Sequence, residues 1–294
     1  MLKRQTSGSC VCISCNQLIS VAHPVCNHCG LKNPSLWGYA PSLRKLGADF
    51  GFIKIVTWGC IALYVATLLT DLGQVRTIGL SRILPPSNLS LLLFGATGSI
   101  PVVELGRWWT VLSAGWLHGS LLHIVFNLLW IRHLAPQVAT AFGPGRLVII
   151  YTVAIAVGGM LTSLAGVFLK GIPFLEGSQL SIGASGGLFG LLGALVAYEQ
   201  ITKDFAANQD TWRLSLVLFV FGFLTPQVDN WGHLGGFLGG YLISRVRRIN
   251  PRKPEGTGQL YGAIVCLFLT ALSVVASLIH AYRYNFFDIW SPPI

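Results

Sequence analysis

Charge is what this 294-residue sequence has least of: 10% of its residues are charged and 53% are hydrophobic, where a soluble domain carries about 25% charged residues. That scarcity excludes an ordinary soluble domain. Acidic residues are rarer still, ten against twenty Lys and Arg, for a formal net charge of +10. The basic excess is scattered through connecting segments and forms no stripe, which argues against nucleic acid as a partner. A short leader with a small-residue cleavage site is also missing, so the first apolar span is expected to stay in the mature protein. Beyond residue 30 cysteine nearly vanishes. Cys60 and Cys266 remain, both inside apolar runs, and they read as inert buried or lipid-facing thiols.

Apolar runs are abundant. Stretches long enough to cross a bilayer, roughly 17–25 residues, recur from Phe52 onward. Allowing for glycine, hydropathy predicts helices over 52–70, 118–138, 146–168, 184–201, 212–226, 231–247 and 260–282. Placing the N-terminus in the cytoplasm puts most basic residues inside, including Lys3, Arg4, Lys32, Arg44 and Lys45, and the cluster from Arg245 to Lys253. Only Arg76, Arg82, Arg107, Lys170 and Arg283 then fall outside. The bias predicts an N-in, C-out chain, with the Arg245–Lys253 cluster held against anionic lipid of the inner leaflet.

Four cysteines near the N-terminus make a metal pattern: Cys12 and Cys15, ten residues, then Cys26 and Cys29. Each C-x-x-C knuckle turns two thiolates toward one ion, and two knuckles close a tetrahedral site. So short a segment cannot build a hydrophobic core, and bound metal would supply its folding free energy. Structural zinc is expected. Disulfides, the competing reading, need an oxidising compartment that a cytoplasmic N-terminus does not provide. Cys10 and His28 lie close by, but the paired spacing favours the four named residues. The following stretch, polar and basic with Pro34 and Pro41, reads as a linker.

Polar groups inside spanning helices are costly, which makes them functional candidates. Three clusters stand out: HGSLLHIVFN, with His118, His123 and Asn127; GASGG around Ser185; and NWGHLGGFLGG around His233. His123 and Asn127 are four apart, on one helical face. At about 1.5 Å per residue from the inner helix ends, Ser185, His233 and His123 stand roughly 21, 18 and 20 Å up. A common level emerges, on the order of 10 Å below the outer face of a hydrocarbon core about 30 Å thick. Glycines at four-residue intervals, Gly186 and Gly190 in one helix and Gly232, Gly236 and Gly240 in another, predict that these two helices touch.

A serine hydroxyl needs a base to become a nucleophile, and neutral histidine is the usual one. Ser185 and His233 fit these roles, and His123, Asn127 and the Ser185 backbone N–H could stabilise an oxyanion. His118 reads as nearer the surface. Asp229, four residues before His233, reads as a loop residue, which favours a dyad over a triad. GASGG also fits the G-x-S-x-G elbow of soluble hydrolases, but that elbow needs a preceding strand, and here the flanks are apolar helices.

On HGSLLHIVFN, GASG and GHLGG, residues 51–248 resemble the rhomboid family of intramembrane serine proteases. The resemblance implies that Ser185 and His233 form the catalytic dyad and that His123 and Asn127 help hold the oxyanion. It also implies six core helices, a water-accessible cavity open to the outer side, and transmembrane protein substrates with helix-weakening residues and a small side chain before the cut bond. Two places depart from the family pattern. GRWWT, with Arg107 ahead of Trp108 and Trp109, stands where a Trp-Arg pair is usual, and Phe189 stands where a tyrosine often stacks on the histidine.

The expected fold is therefore an all-α polytopic membrane bundle: a four-cysteine module (1–34), a linker (35–50), a six-helix rhomboid core (51–250), and a seventh helix with its tail (251–294). The expected activity is a serine endopeptidase without a catalytic cofactor, acting on transmembrane proteins in contact with membrane lipids, in a bacterial plasma membrane. The alternatives are a rhomboid-like pseudoprotease that binds transmembrane helices without cutting them, and a small transporter using the intramembrane histidines.

Overall fold

The computed structural model describes residues 3–75, 79, 83–172, 175–203, 205–225, 228–253 and 255–283. Arg76, Arg82 and the tail after Arg283 lie outside these residues. The chain opens with an antiparallel ribbon of β1 (Ser9–Val11) and β2 (Leu18–Ser20), paired Ser9 to Ser20 and Val11 to Leu18. There follow α1 (Ala40–Arg44), α2 (Phe52–Thr70), α3 (Asn88–Phe94), α4 (Thr110–Ser113) and α5 (Leu121–Phe142). The remaining helices are α6 (Pro144–Phe168), α7 (Ser185–Thr202), α8 (Phe205–Leu224), α9 (Asn230–Arg245) and α10 (Thr257–Arg283).

A helix lies at each of the seven positions that hydropathy picks out. Among the described residues α2, α6 and α10 are long and apolar enough to cross a membrane on their own, and the Thr110–Trp116 segment with α5 forms a bent pair at 94°. The chain is a mostly helical, polytopic membrane protein. α7 and α9 fall short on length or hydropathy because glycine and the polar cluster residues replace long aliphatic side chains there.

The bundle is organised around α7, in which every residue from Gly187 to Ala197 is buried. A helix apolar on all sides belongs in a core, and α5, α6, α8 and α9 enclose this one. Its contact with α9 is made by backbone. A β-carbon on Gly236 would meet the carbonyl of Gly186, and one on Gly240 the carbonyl of Gly190. On the α6 side, a β-carbon on Gly158 would stand 2.5 Å from the Gly232 carbonyl oxygen. The predicted contact between the two glycine-bearing helices is thus present, and α6 completes a closely packed trio.

The stretch between the cysteine module and α2 is folded. Leu36 and Ala40 are buried in one cluster with Ile13 of the first knuckle, against Leu260 of α10. Arg44 ties the cluster to the ribbon, its Nη2 donating to the Cys12 carbonyl and to Asn16 Oδ1, both at 2.7 Å.

Candidate active site and cysteine cluster

α5 begins at Leu121 because Ser120, in extended conformation, caps it: its hydroxyl accepts from the His123 N–H at 3.2 Å. His123, in the first turn, reaches back so that its Nδ1 accepts from the Gly119 N–H at 3.3 Å. This bond sets the tautomer. With Nδ1 as acceptor, the ring proton of the neutral imidazole sits on Nε2. One turn on, Asn127 is buried, and its Nδ2 donates to the His123 carbonyl at 2.8 Å.

Ser185 is the first residue of α7, where backbone N–H groups have no partner within the helix. The residue before its cap, Gly183, has φ +127°, and its N–H donates to the Ala114 carbonyl at 2.9 Å. A β-carbon on Gly183 would lie 2.8 Å from His123 Nε2 and 3.5 Å from Ser185 Oγ. The missing side chain therefore leaves open the space between a ring N–H donor and the serine hydroxyl.

His233 is buried on α9 and stacks on Phe189, with ring centroids 4.2 Å apart and planes at 19°. Phe189 is one turn along α7 from Ser185, on the same face, so the stack sets the imidazole against the face of α7 that carries the serine. Phe219 of α8 backs Phe189 at 4.6 Å. Gly222 of α8 makes room for Asn230 at the start of α9: a β-carbon there would stand 2.7 Å from Asn230 Oδ1. Among the described residues His233 Nδ1 has no hydrogen-bond partner. Such an arrangement can activate a hydroxyl toward a carbonyl and stabilise the resulting negative oxygen.

Among the described residues no carboxylate is hydrogen-bonded to that ring. Asp229 caps α9, its Oδ1 accepting from the Gly232 N–H at 2.9 Å and from Thr162 Oγ1 at 2.8 Å, and its Oδ2 from Ser181 Oγ at 2.5 Å. His118, expected nearer the surface, is fully buried, edge-on to His123 at 5.1 Å. The reason is the 94° elbow between Thr110–Trp116 and α5, which turns residue 118 inward.

At the other end of the chain the four predicted cysteines come together. Their sulfurs all lie within 4.8 Å of one another, with Cys12 to Cys29 at 3.8 Å and Cys15 to Cys26 at 3.7 Å. Tetrahedral thiolate coordination at a metal–sulfur distance of about 2.3 Å separates the sulfurs by about 3.8 Å. The cluster fits such an ion. Backbone N–H groups of Ser14 and Cys15 point at the Cys12 sulfur, and those of His28 and Cys29 at Cys26. Burial pushes the Cys12 thiol up to about 12. Burial acts the same way on Cys26, but the N–H groups of Cys29 and His28 outweigh it and bring that thiol down to about 6.

Residues 105–249, which carry the serine, both histidines and the asparagine, match the rhomboid domain. The chain belongs to the rhomboid family. It is similar to RHOMBOID-like protein 4 of Arabidopsis thaliana, 34% identical over 174 residues, covering 58% of this chain and 41% of the relative. It is also similar to RHOMBOID-like protein 5 of the same plant, 35% identical over 178 residues, covering 58% and 54%. To rhomboid protease GluP of Bacillus subtilis (strain 168) it is 30% identical over 158 residues, covering 53% and 29%. The chain thus spans about half the length of the curated relatives it matches, or less. α10 and the cysteine module lie outside the matched rhomboid domain.

Within the rhomboid domain, Arg107 of the GRWWT segment is fully buried. It donates from Nη1 to the Leu92 carbonyl at 2.9 Å and from Nη2 to the Ser277 carbonyl at 3.2 Å, joining α3 to α10. Trp109 Nε1 donates to Ser277 Oγ at 3.1 Å. The sequence reading missed Ser181, Thr162 and the capping role of Ser120. Only the last had a local signal, a serine three residues ahead of a side chain able to bond back.

Proposed function

We propose that this chain is an intramembrane serine endopeptidase that cleaves transmembrane proteins within or near their membrane segments. One observation carries the reading: the gap left by Gly183, bounded by the His123 Nε2–H and the Ser185 hydroxyl, with His233 stacked one turn below. In this mechanism His233 takes the proton of Ser185 Oγ as the oxygen attacks the scissile carbonyl. The oxyanion is held by the His123 Nε2–H, the free N–H of the Asn127 amide and the Ser185 backbone N–H. His233 then passes its proton to the departing amine, and the C–N bond breaks. Water, deprotonated by the same imidazole, hydrolyses the acyl-enzyme. Absence of an orienting carboxylate among the described residues supports a dyad.

The N-terminal cysteines would hold structural zinc, which supplies folding free energy to the module and takes no part in bond cleavage. The basic bias of the inner segments supports a cytoplasmic N-terminus and an extracytoplasmic C-terminus, in a bacterial plasma membrane.

The test is labelling of the full chain in detergent micelles by a fluorophosphonate, which phosphonylates an activated serine as fluoride departs. Wild type should label, and Ser185→Ala and His233→Ala should not. Equal labelling of all three, or none of folded wild type, overturns the reading.

A further inference from the structure

Asp229 sits four residues before His233, and Ser181 sits four before Ser185. The two are joined directly by the Ser181 Oγ to Asp229 Oδ2 hydrogen bond. The same carboxylate caps α9 through the Gly232 N–H and receives the Thr162 hydroxyl of α6. Thr162 Oγ1 in turn accepts from the Ser178 N–H at 3.1 Å. The segment leading to the serine is strapped from its other side as well. Thr97 and Ser181 exchange backbone hydrogen bonds, Thr97 donating at 2.9 Å and Ser181 at 2.6 Å, and the Ser99 N–H donates to the Ser178 carbonyl at 3.0 Å.

One carboxylate therefore receives donors from the serine's segment, the histidine's helix and the helix packed against both. An ionised carboxylate suits this place because it only accepts, and three donors converge on it. Charge-assisted bonds of this type are roughly twice as strong as neutral ones. Asparagine would keep an oxygen for Gly232 and Thr162 but present an N–H₂ toward Ser181, turning the acceptor there into a donor.

We infer that Asp229 is a positioning residue for the Ser185–His233 pair, holding the serine's segment in register with the histidine's helix through Ser181. This rests on the protease reading of the site. Asp229 acts through Ser181 and the α9 cap and not on the imidazole, so its removal slows chemistry without moving the titration of the base. A misplacement of about 1 Å costs up to about 10²-fold in rate.

The experiment measures inactivation of full-length protein in micelles by a fluorophosphonate, separating the limiting rate from the half-saturating concentration, across a pH series and beside thermal unfolding. Five proteins decide it: wild type, Ser181→Ala, Asp229→Asn, Asp229→Ala and the double variant of Ser181→Ala with Asp229→Asn. Ser181→Ala and Asp229→Asn should each lower the limiting rate by about 10-fold, leaving the half-saturating concentration, the pH midpoint and the unfolding temperature close to wild type. The double variant should be no slower than either single one, since both disrupt the same donation from Ser181 to the carboxylate. Asp229→Ala should be slower still, because it also loses the cap. Wild-type rates in folded Ser181→Ala and Asp229→Asn, multiplicative losses in the double variant, or a shifted pH midpoint in Asp229→Asn would each overturn the positioning role while wild-type labelling keeps the protease reading intact. An unlabelled wild type overturns both.

Discussion

His123 Nε2 lies 2.8 Å from the point where a β-carbon on Gly183 would stand. That position, at φ +127°, combines a backbone conformation that L side chains rarely adopt with a contact no real β-carbon makes. Gly183→Ala is therefore expected to disturb the site more than the fold. Its phosphonylation by a fluorophosphonate should fall by at least about 10²-fold, the cost of losing one oxyanion donor, while thermal unfolding shows a folded protein. Phosphonylation within about threefold of wild type would show that the gap is not the oxyanion site.

The two α5 side chains should differ in weight. His123 offers its only ring N–H, whereas Asn127 already commits one amide hydrogen to the His123 carbonyl. His123→Ala should lower phosphonylation by about 10²–10³-fold, and Asn127→Ala by less. The reverse order would contradict the tautomer assigned from the Gly119 bond.

Metal removal is a separate matter. Elemental analysis of purified protein should find one zinc per chain, and Cys26→Ser or Cys12→Ser should abolish it. Binding requires thiolates, so affinity falls as pH falls and protons reclaim the sulfurs. Cys12, whose thiol burial raises to about 12, makes loading release protons at neutral pH. A zinc content unchanged in both variants would refute the four-thiolate site.

Glu255, ahead of α10, predicts a pH effect on stability. Its carboxylate accepts from the Arg146 N–H at 2.7 Å. Burial raises it to about 7, outweighing the N–H groups of Arg146 and Gly145 and the Arg146 guanidinium. An unfolded glutamate titrates near about 4.3, so between those values the folded chain binds more protons. Stability should decline as pH rises through that window. Thermal unfolding in micelles should show the decline in wild type and a flatter profile in Glu255→Gln. An equal slope in both would exclude Glu255 as its source.

Much of this was legible beforehand because membrane helices advertise themselves. Seven apolar runs became seven helices, and Ser185, His233, His123 and Asn127 stood out as polar groups where polarity is costly. Helix starts were less legible: α5 begins at Leu121 and not at 118 because Ser120 caps it. The Asp229 network was not legible at all. Its bonds to Ser181 and Thr162 cross 48 and 67 residues, and serine and threonine are common in membrane helices for packing alone. The same limit hid Arg107, whose contact with Ser277 joins groups 170 residues apart.

The glycine seam among α6, α7 and α9 has a mechanical consequence. Where side chains mediate a helix contact, each can hop between rotamers, and the spacing of the helices wanders with them. Along Gly186–Gly236 and Gly190–Gly240, main chain rests on main chain, so there are no torsions at the contact to soften it. The packing of α7, which carries Ser185, against α9, which carries His233, is thus set by the peptide backbone itself. The outward faces of α2, α8 and α10, by contrast, carry large apolar side chains, which keep torsions free to adapt. Lipid therefore meets side chains that can adapt, while the contact between the serine's helix and the histidine's helix offers none.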